Sequence, residues 1–90
     1  MQLSLFPISV YLQRIRAEHN EWRYYAMSIQ PDLFGGALLM RRWGRIGTAG
    51  RLRLDQFPDE GAAANALAHH ARQKLRRGYR VIAQNAPLFS

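Results

Sequence analysis

The ninety-residue sequence contains no cysteine, which excludes disulfide bonds and zinc sites with thiolate ligands. It has no hydrophobic run long enough to span a bilayer and no basic leader ahead of an apolar segment. We therefore expect a cytoplasmic protein without a membrane partner or a cofactor. A chain of this length forms one domain, because two separate cores would each bury too little surface.

Acidic residues and lysine are both scarce. Six Asp and Glu residues stand against thirteen Lys and Arg residues, so the formal net charge is +7. Lys74 is the single lysine, and the excess of positive charge lies in residues 41–80, because residues 1–40 are balanced. A one-sided positive field attracts polyanions, and the planar guanidinium group suits phosphate oxygens. The charge distribution predicts nucleic-acid binding, and a merely soluble, arginine-rich surface is the alternative.

Four segments rich in β-branched and aromatic residues predict β-strands. They are residues 10–16, 23–30, 37–45 and 51–57. The links between them are short and rich in turn-forming residues, so the four strands predict an antiparallel meander. After a helical segment, residues 79–83 predict a short returning strand.

The helical segment follows the fourth predicted strand. Asp59 is placed to cap its first turn, and Gly78 fits the left-handed position after its last turn. Apolar residues spaced three and four apart predict the face that packs on the sheet. They are Ala64, Leu67, Ala68, Ala71 and Leu75. We predict an α+β fold, in which an antiparallel sheet of four to five strands carries one C-terminal helix. The expected domain spans residues 9–83, between tails at residues 1–8 and 84–90.

The third predicted strand holds a tryptophan between two arginines. Alternate residues of a strand share one face, so Arg41, Trp43 and Arg45 are expected to project together. The residues expected to face the core are Leu38, Met40 and Ile46. An exposed indole can stack on a base or sugar while neighbouring guanidinium groups hold phosphates. The alternative is that the indole packs under the helix and the arginines pair with Asp55, Asp59 and Glu60.

Residues 42–51, Arg-Trp-Gly-Arg-Ile-Gly-Thr-Ala-Gly-Arg, resemble the signature of the WGR domain family. Further matches extend across residues 9–82: Tyr24-Tyr25, Leu33-Phe34-Gly35-Gly36, Phe57, Lys74 and Arg77-Gly78-Tyr79. The family occurs within DNA-dependent poly(ADP-ribose) polymerases and as small stand-alone bacterial proteins, which this sequence resembles. The resemblance implies an antiparallel sheet with one helix packed on it.

In the polymerases, this domain grips the 5′ end of a DNA break and relays binding to a catalytic domain. The resemblance implies that Trp43 is the stacking platform, that Gly44 permits close backbone approach, and that Arg45 contacts phosphate or sugar. The other basic residues expected to bind nucleic acid are Arg41, Arg42, Arg51, Arg53, Lys74 and Arg77. The sequence contains no zinc fingers and no catalytic domain, so only binding to DNA ends or breaks is implied.

Catalytic interpretations find little support in the residues. His69 and His70 point about 100° apart on a helix and cannot chelate one ion together. Asp59 and Glu60 flank a helix start, where capping explains them better than a nuclease metal site. No nucleophile elbow or phosphate loop is present. We expect neither enzymatic activity nor a metal ion or small-molecule substrate.

The start of the chain resembles the pentapeptide by which many bacterial replication and repair proteins dock on the sliding clamp. Its residues are Gln2, Leu3, Ser4, Leu5 and Phe6. Leucine and phenylalanine suit an apolar pocket and glutamine suits an adjoining polar groove. Covering a sheet edge is the alternative role of this segment.

Residues 30–34, Gln-Pro-Asp-Leu-Phe, fit the same pentapeptide pattern nearly as well. They fall in a predicted loop, where Leu33 and Phe34 are expected to be needed for folding. The second hypothesis for the whole chain is therefore a protein-interaction module. It would bind an acidic partner through Trp43 and its arginines, or the sliding clamp through the N-terminal pentapeptide.

Overall fold

The computed structural model describes residues 8–85, and the N-terminal pentapeptide lies outside them. The strands are β1 (Ser9–Arg16), β2 (Glu21–Pro31), β3 (Ala37–Arg45), β4 (Arg51–Phe57) and β5 (Arg80–Asn85). Helix α1 spans Glu60–Arg76, and a short 3-10 turn, Ala17–His19, joins β1 to β2. The strands form one antiparallel sheet in the order β4-β3-β2-β1-β5. The predicted α+β fold is confirmed, with the meander of β1 to β4 completed by β5.

Both ends of α1 follow from local sequence. Asp59 Oδ1 accepts a hydrogen bond of 2.8 Å from the Ala62 amide and so caps the first turn. At the other end, Gly78 adopts a left-handed conformation with φ +91°. Its amide donates to the Leu75 carbonyl, and the Tyr79 amide donates to the Lys74 carbonyl. This pair of bonds is a Schellman motif, which ends the helix and turns the chain into β5.

The hydrophobic core lies between α1 and one face of the sheet. On β3 the core-facing residues are Ala37 and Leu39, so the expectation that Leu38 and Met40 face the core is wrong by one residue. A shift of one residue along a strand reverses its faces. Trp43 therefore shares the helix-bearing face with Leu39 and packs partly against the core. Ile46 lies beyond the end of β3 and is not among the core residues.

The apolar stripe of α1 is confirmed for Ala64, Leu67 and Ala71 and is wrong at its end. Leu67 and Ala63 are buried against the sheet, while Ala64 and Ala71 pack at the margin of the core. Leu75 is 46% exposed, because the last turn places Lys74 over the sheet instead. α1, the helix that the structure describes, is not long and apolar enough to cross a membrane.

The loop between β2 and β3 also differs from expectation. Leu33 and Phe34, which were expected to be needed for folding, are 97% and 87% exposed. Ala37 and Leu39 fill the core at the start of β3, and Phe57 packs beside them at the end of β4. The fold therefore does not use the two apolar side chains at the tip of this loop.

Candidate nucleic-acid interface

Three arginines on neighbouring strands lie side by side on the helix-bearing face. Arg14 of β1 is in register with Arg23 of β2, and Arg23 is in register with Arg45 of β3. Adjacent strands are only about 4.8 Å apart, and like charges directly opposite each other destabilise a sheet. Negative charge close to this arginine row therefore stabilises the sheet.

Glu21 at the start of β2 supplies part of that charge. Its carboxylate lies 2.6 Å from Arg14 Nη2 and 3.3 Å from Arg23 Nε, and Arg16 Nε is 3.8 Å away. The hydrogen bond from Arg14 lowers the pKa of Glu21, so the carboxylate is charged at neutral pH. One carboxylate thus serves three guanidinium groups, and the cluster keeps a positive excess.

Arg45 has no carboxylate within ion-pair distance among residues 8–85. Its guanidinium donates to the backbone carbonyl and the side-chain oxygen of Asn20, at 3.2 and 3.3 Å. Asn20 adopts a left-handed conformation with φ +53°, which ends the turn between β1 and β2. Neutral acceptors thus hold the Arg45 side chain in place and leave its charge available. Arg45 lines a groove of about 570 Å³, together with Arg16, His19 and Arg23.

Trp43 occupies the next row of the same face, in register with Tyr25 on one side and Arg51 on the other. Its indole stacks on the Tyr25 ring with a centroid distance of 5.8 Å and an interplanar angle of 26°. Arg41 Cζ lies 6.0 Å from the indole centroid. Trp43 therefore contacts the core, as the alternative interpretation predicted, and part of its side chain is exposed; its role as a stacking platform stays a prediction.

The C-terminal end of α1 brings further cations to this face. Lys74 Nζ lies 4.5 Å from the centroid of the Tyr25 ring and 5.5 Å from that of Tyr79. Partial burial and the neighbouring Arg77 lower the pKa of Lys74. The Arg77 carbonyl accepts a hydrogen bond of 2.8 Å from Arg14, which ties the helix end to the arginine row. We call the combined feature the basic–aromatic surface; it consists of Arg14, Arg23, Arg45, Trp43, Lys74 and Arg77, which lie around the buried ring of Tyr25.

Other arginines that the sequence suggested are placed differently. Arg41 is only 14% exposed and bonds to Asp55 at 3.0 Å and to the Tyr25 hydroxyl at 3.2 Å. Burial opposes its charge, but these two bonds outweigh burial and raise the pKa of Arg41. Arg53 also pairs with Asp55, at 3.2 Å. Pairing with an acidic residue, the alternative considered for Arg41 and Arg45, is therefore correct for Arg41, whereas no such pair forms at Arg45 among residues 8–85. Arg42 lies on the opposite face and donates to the Ala49 carbonyl.

Gly44 also faces away from the basic–aromatic surface. A Cβ at this position would lie 2.9 Å from Gly50 Cα, because the turn between β3 and β4 folds back over it. The Tyr24 hydroxyl holds the same turn through the carbonyls of Thr48 and Ala49, at 3.0 and 2.9 Å. Close approach to this face of Gly44 is made by the chain itself. Gly44 also lines the groove beside Arg45, and its role in close approach to a ligand stays a prediction.

The sequence did not identify Arg14, Arg16 and Arg23 as candidate binding residues, because the first half of the chain has no net charge. The signal that could have identified them is the alternation within the strands. Arg14 and Arg16 share a face of β1, and Arg23 shares the face of Tyr25 on β2. Pairing of the strands then brings Arg14 and Arg23 into one row with Arg45, and Arg16 lines the same groove as Arg45.

Comparison with known proteins identifies a family and a relative. The model of the WGR domain family matches residues 8–86. The uncharacterized protein y4dW of Sinorhizobium fredii (strain NBRC 101917 / NGR234) is 46% identical to this chain over 74 residues, which are 82% of this chain and 36% of that protein. The chain thus spans about a third of the length of this curated relative. No solved structure is significantly similar to this chain.

Proposed function

We propose that this chain, which belongs to the WGR domain family, binds DNA at strand ends and breaks through the basic–aromatic surface. The WGR domain is a nucleic-acid-binding type of domain, known from proteins related to poly(ADP-ribose) polymerases. The observation that supports binding of DNA through this surface is the arginine row. Arg14, Arg23 and Arg45 face one another across three strands, with Glu21 as the carboxylate beside them. A nucleic-acid phosphate would supply the negative partner that the guanidinium group of Arg45 lacks.

The preference for ends follows from Trp43. Within an intact duplex the base faces are covered by their neighbours, whereas a strand end or a nick offers a base or sugar that an indole can contact. Trp43 and Arg45 lie two residues apart on one face of β3, which is roughly 7 Å along a strand. One terminal nucleotide can therefore contact the indole through its base or sugar and the guanidinium through its phosphate.

An acidic protein partner is the competing occupant of the same surface. Tryptophan and arginine also anchor protein interfaces, so residue types alone do not separate the two. Salt dependence does, because each neutralised phosphate contributes about 0.9 to the log–log salt slope on duplex DNA and about 0.7 on single strands.

Fluorescence anisotropy tests the proposal. A labelled nicked duplex is bound to the full chain at two salt concentrations and competed with nicked circular DNA, covalently closed circular DNA, single-stranded DNA and polyglutamate. We expect a steep salt slope and stronger competition by the nicked circle than by the closed circle. Equal competition by the two circles would contradict the preference for ends, and dominant competition by polyglutamate would favour the acidic partner.

A further inference from the structure

We propose that the β2–β3 loop docks a partner protein by inserting Leu33 and Phe34 into an apolar pocket. This function is separate from nucleic-acid binding and does not depend on it. The loop includes the second occurrence of the glutamine–leucine–phenylalanine pattern, at residues 30–34. The exposure of both apolar side chains removes the folding role that the sequence suggested for them.

The exposure of this pair is unusual because both side chains are adjacent and almost completely in water. Leu33 is 97% exposed and Phe34 87%, whereas Leu52 and Leu54 on β4 are near 50%. Single apolar residues on a surface need no explanation, but a contiguous apolar projection is typical of an interaction site. Burying a leucine or phenylalanine side chain contributes substantially to association, so this pair can act as an anchor.

The loop is also held in shape before any partner binds. The Asp32 amide donates to the Gly36 carbonyl at 2.9 Å, and the Gly35 amide donates to the Asp32 carbonyl at 3.1 Å. The Asp32 carboxylate accepts a hydrogen bond of 2.6 Å from Gln56 on β4. At Gly36, the Phe57 carbonyl leaves no room for a side chain. A preformed turn loses less conformational entropy on binding than a flexible one.

The charge of the loop favours a protein over a nucleic acid or an anionic membrane. Residues 24–40 contain no Lys or Arg, and Asp32 is the only charged residue among them. A phosphate backbone or an anionic lipid surface is not attracted to such a segment. An apolar pocket beside a polar groove suits it, because Gln30 and Pro31 are exposed next to the apolar pair.

The pattern in this loop identifies the chemistry of the partner pocket. Gln30, Leu33 and Phe34 have the spacing of Gln2, Leu5 and Phe6, the segment that resembles the docking pentapeptide of the sliding clamp. The pocket must accept adjacent leucine and phenylalanine side chains and offer hydrogen-bonding groups to a glutamine. The loop precedes β3 and the basic–aromatic surface lies near its end, about 20 Å along the strand, so both can be occupied together.

Titration of a bacterial sliding clamp with the full chain tests the proposal. Leu33→Ala with Phe34→Ala is compared with Leu5→Ala with Phe6→Ala, and Leu54→Ala serves as the matched control for loss of an exposed leucine. We expect the loop variant to bind the clamp at least about tenfold more weakly. Its melting temperature and its DNA affinity should equal those of the parent, and Leu54→Ala should bind the clamp normally.

Several outcomes would overturn the proposal. They are absence of clamp binding, clamp binding that the loop variant retains, and clamp binding that only the Leu5→Ala with Phe6→Ala variant loses. Weaker binding of DNA or of vesicles with anionic lipid by the loop variant, with unchanged clamp binding, would assign the loop to a different ligand and would overturn it too. The outcomes for clamp binding do not bear on the basic–aromatic surface, whose own test measures DNA binding.

Discussion

Arg45 combines a fixed position with an uncompensated charge. Its two hydrogen bonds to Asn20 are exposed and at the long end of the usual range, so they add little to stability. We expect Arg45→Ala to weaken DNA binding and to lower the salt slope by about 0.9 for the phosphate contact that is lost. The melting temperature should not change.

Arg80→Ala is the matched control for this prediction, because it removes an equal charge from a position on β5, where Arg80 pairs with Gln13. Loss of one positive charge weakens long-range attraction in both variants. A role for Arg45 requires a clearly larger effect of Arg45→Ala than of Arg80→Ala. Equal effects in anisotropy titrations would mean that Arg45 acts only through the net charge.

Glu21 gives the arginine row a dependence on pH. The hydrogen bond from Arg14 lowers the pKa of Glu21 below its ordinary value of 4.5. Its stabilising effect is therefore complete above pH 4.5 and is lost as the pH falls through the lowered value. Thermal unfolding at a series of pH values tests this role. We expect the Glu21→Gln variant to be less stable than the parent at neutral pH. On acidification, the variant should lose less stability than the parent loses. Parallel curves for the two proteins would contradict this role.

At the scale of elements, the turn between β3 and β4 is fixed by contacts on the face opposite the helix. Tyr24→Phe removes the hydroxyl that bonds to the Thr48 and Ala49 carbonyls, and we expect a loss of about 1 kcal/mol in the free energy of unfolding. Gly44→Ala should cost more, because its Cβ meets the backbone of Gly50. Urea unfolding measures both, and a Gly44→Ala variant as stable as the parent would show that the turn is not packed in this way.

Element boundaries could be predicted where local chemistry decides them. Asp59 and Gly78 identify the ends of α1, and glycines at residues 47 and 50 identify the turn after β3. The faces could not be predicted so easily. Alternation in β3 shows which residues share a side, but Leu38 and Leu39 are equally apolar, and only the position of the helix selects Leu39 for the core.

The sequence also could not predict which side chains face the sheet at the end of α1, or which residues the candidate site brings together. Periodicity predicts Leu75 for the sheet, yet the side chain over Tyr25 is that of Lys74, whose ammonium group is favoured by the aromatic ring. Trp43 and Arg45 could be proposed from the family resemblance. Arg14 and Arg23 could not, because only strand register brings them to the same place.

At the scale of the whole molecule, two features lie towards opposite ends of the central strands. The basic–aromatic surface lies near the end of β3, and Leu33 and Phe34 lie before its start. The formal charge of +7 favours the proposed binding of DNA, whereas the loop lacks positive charge. We therefore expect the two binding activities to be independent, so that saturation with DNA leaves clamp affinity unchanged.

We propose that Trp43 contacts the end of a DNA strand, and the fluorescence of Trp43 tests this most directly. The chain has two tryptophans, so Trp22→Phe leaves Trp43 as the single indole, and Trp22 is partly exposed. This variant avoids the loss of core contacts that Trp43→Ala would cause. We predict that nicked circular DNA quenches Trp43 fluorescence and that covalently closed circular DNA at the same concentration does not. Unchanged Trp43 fluorescence at a concentration of nicked DNA that saturates anisotropy would contradict the account.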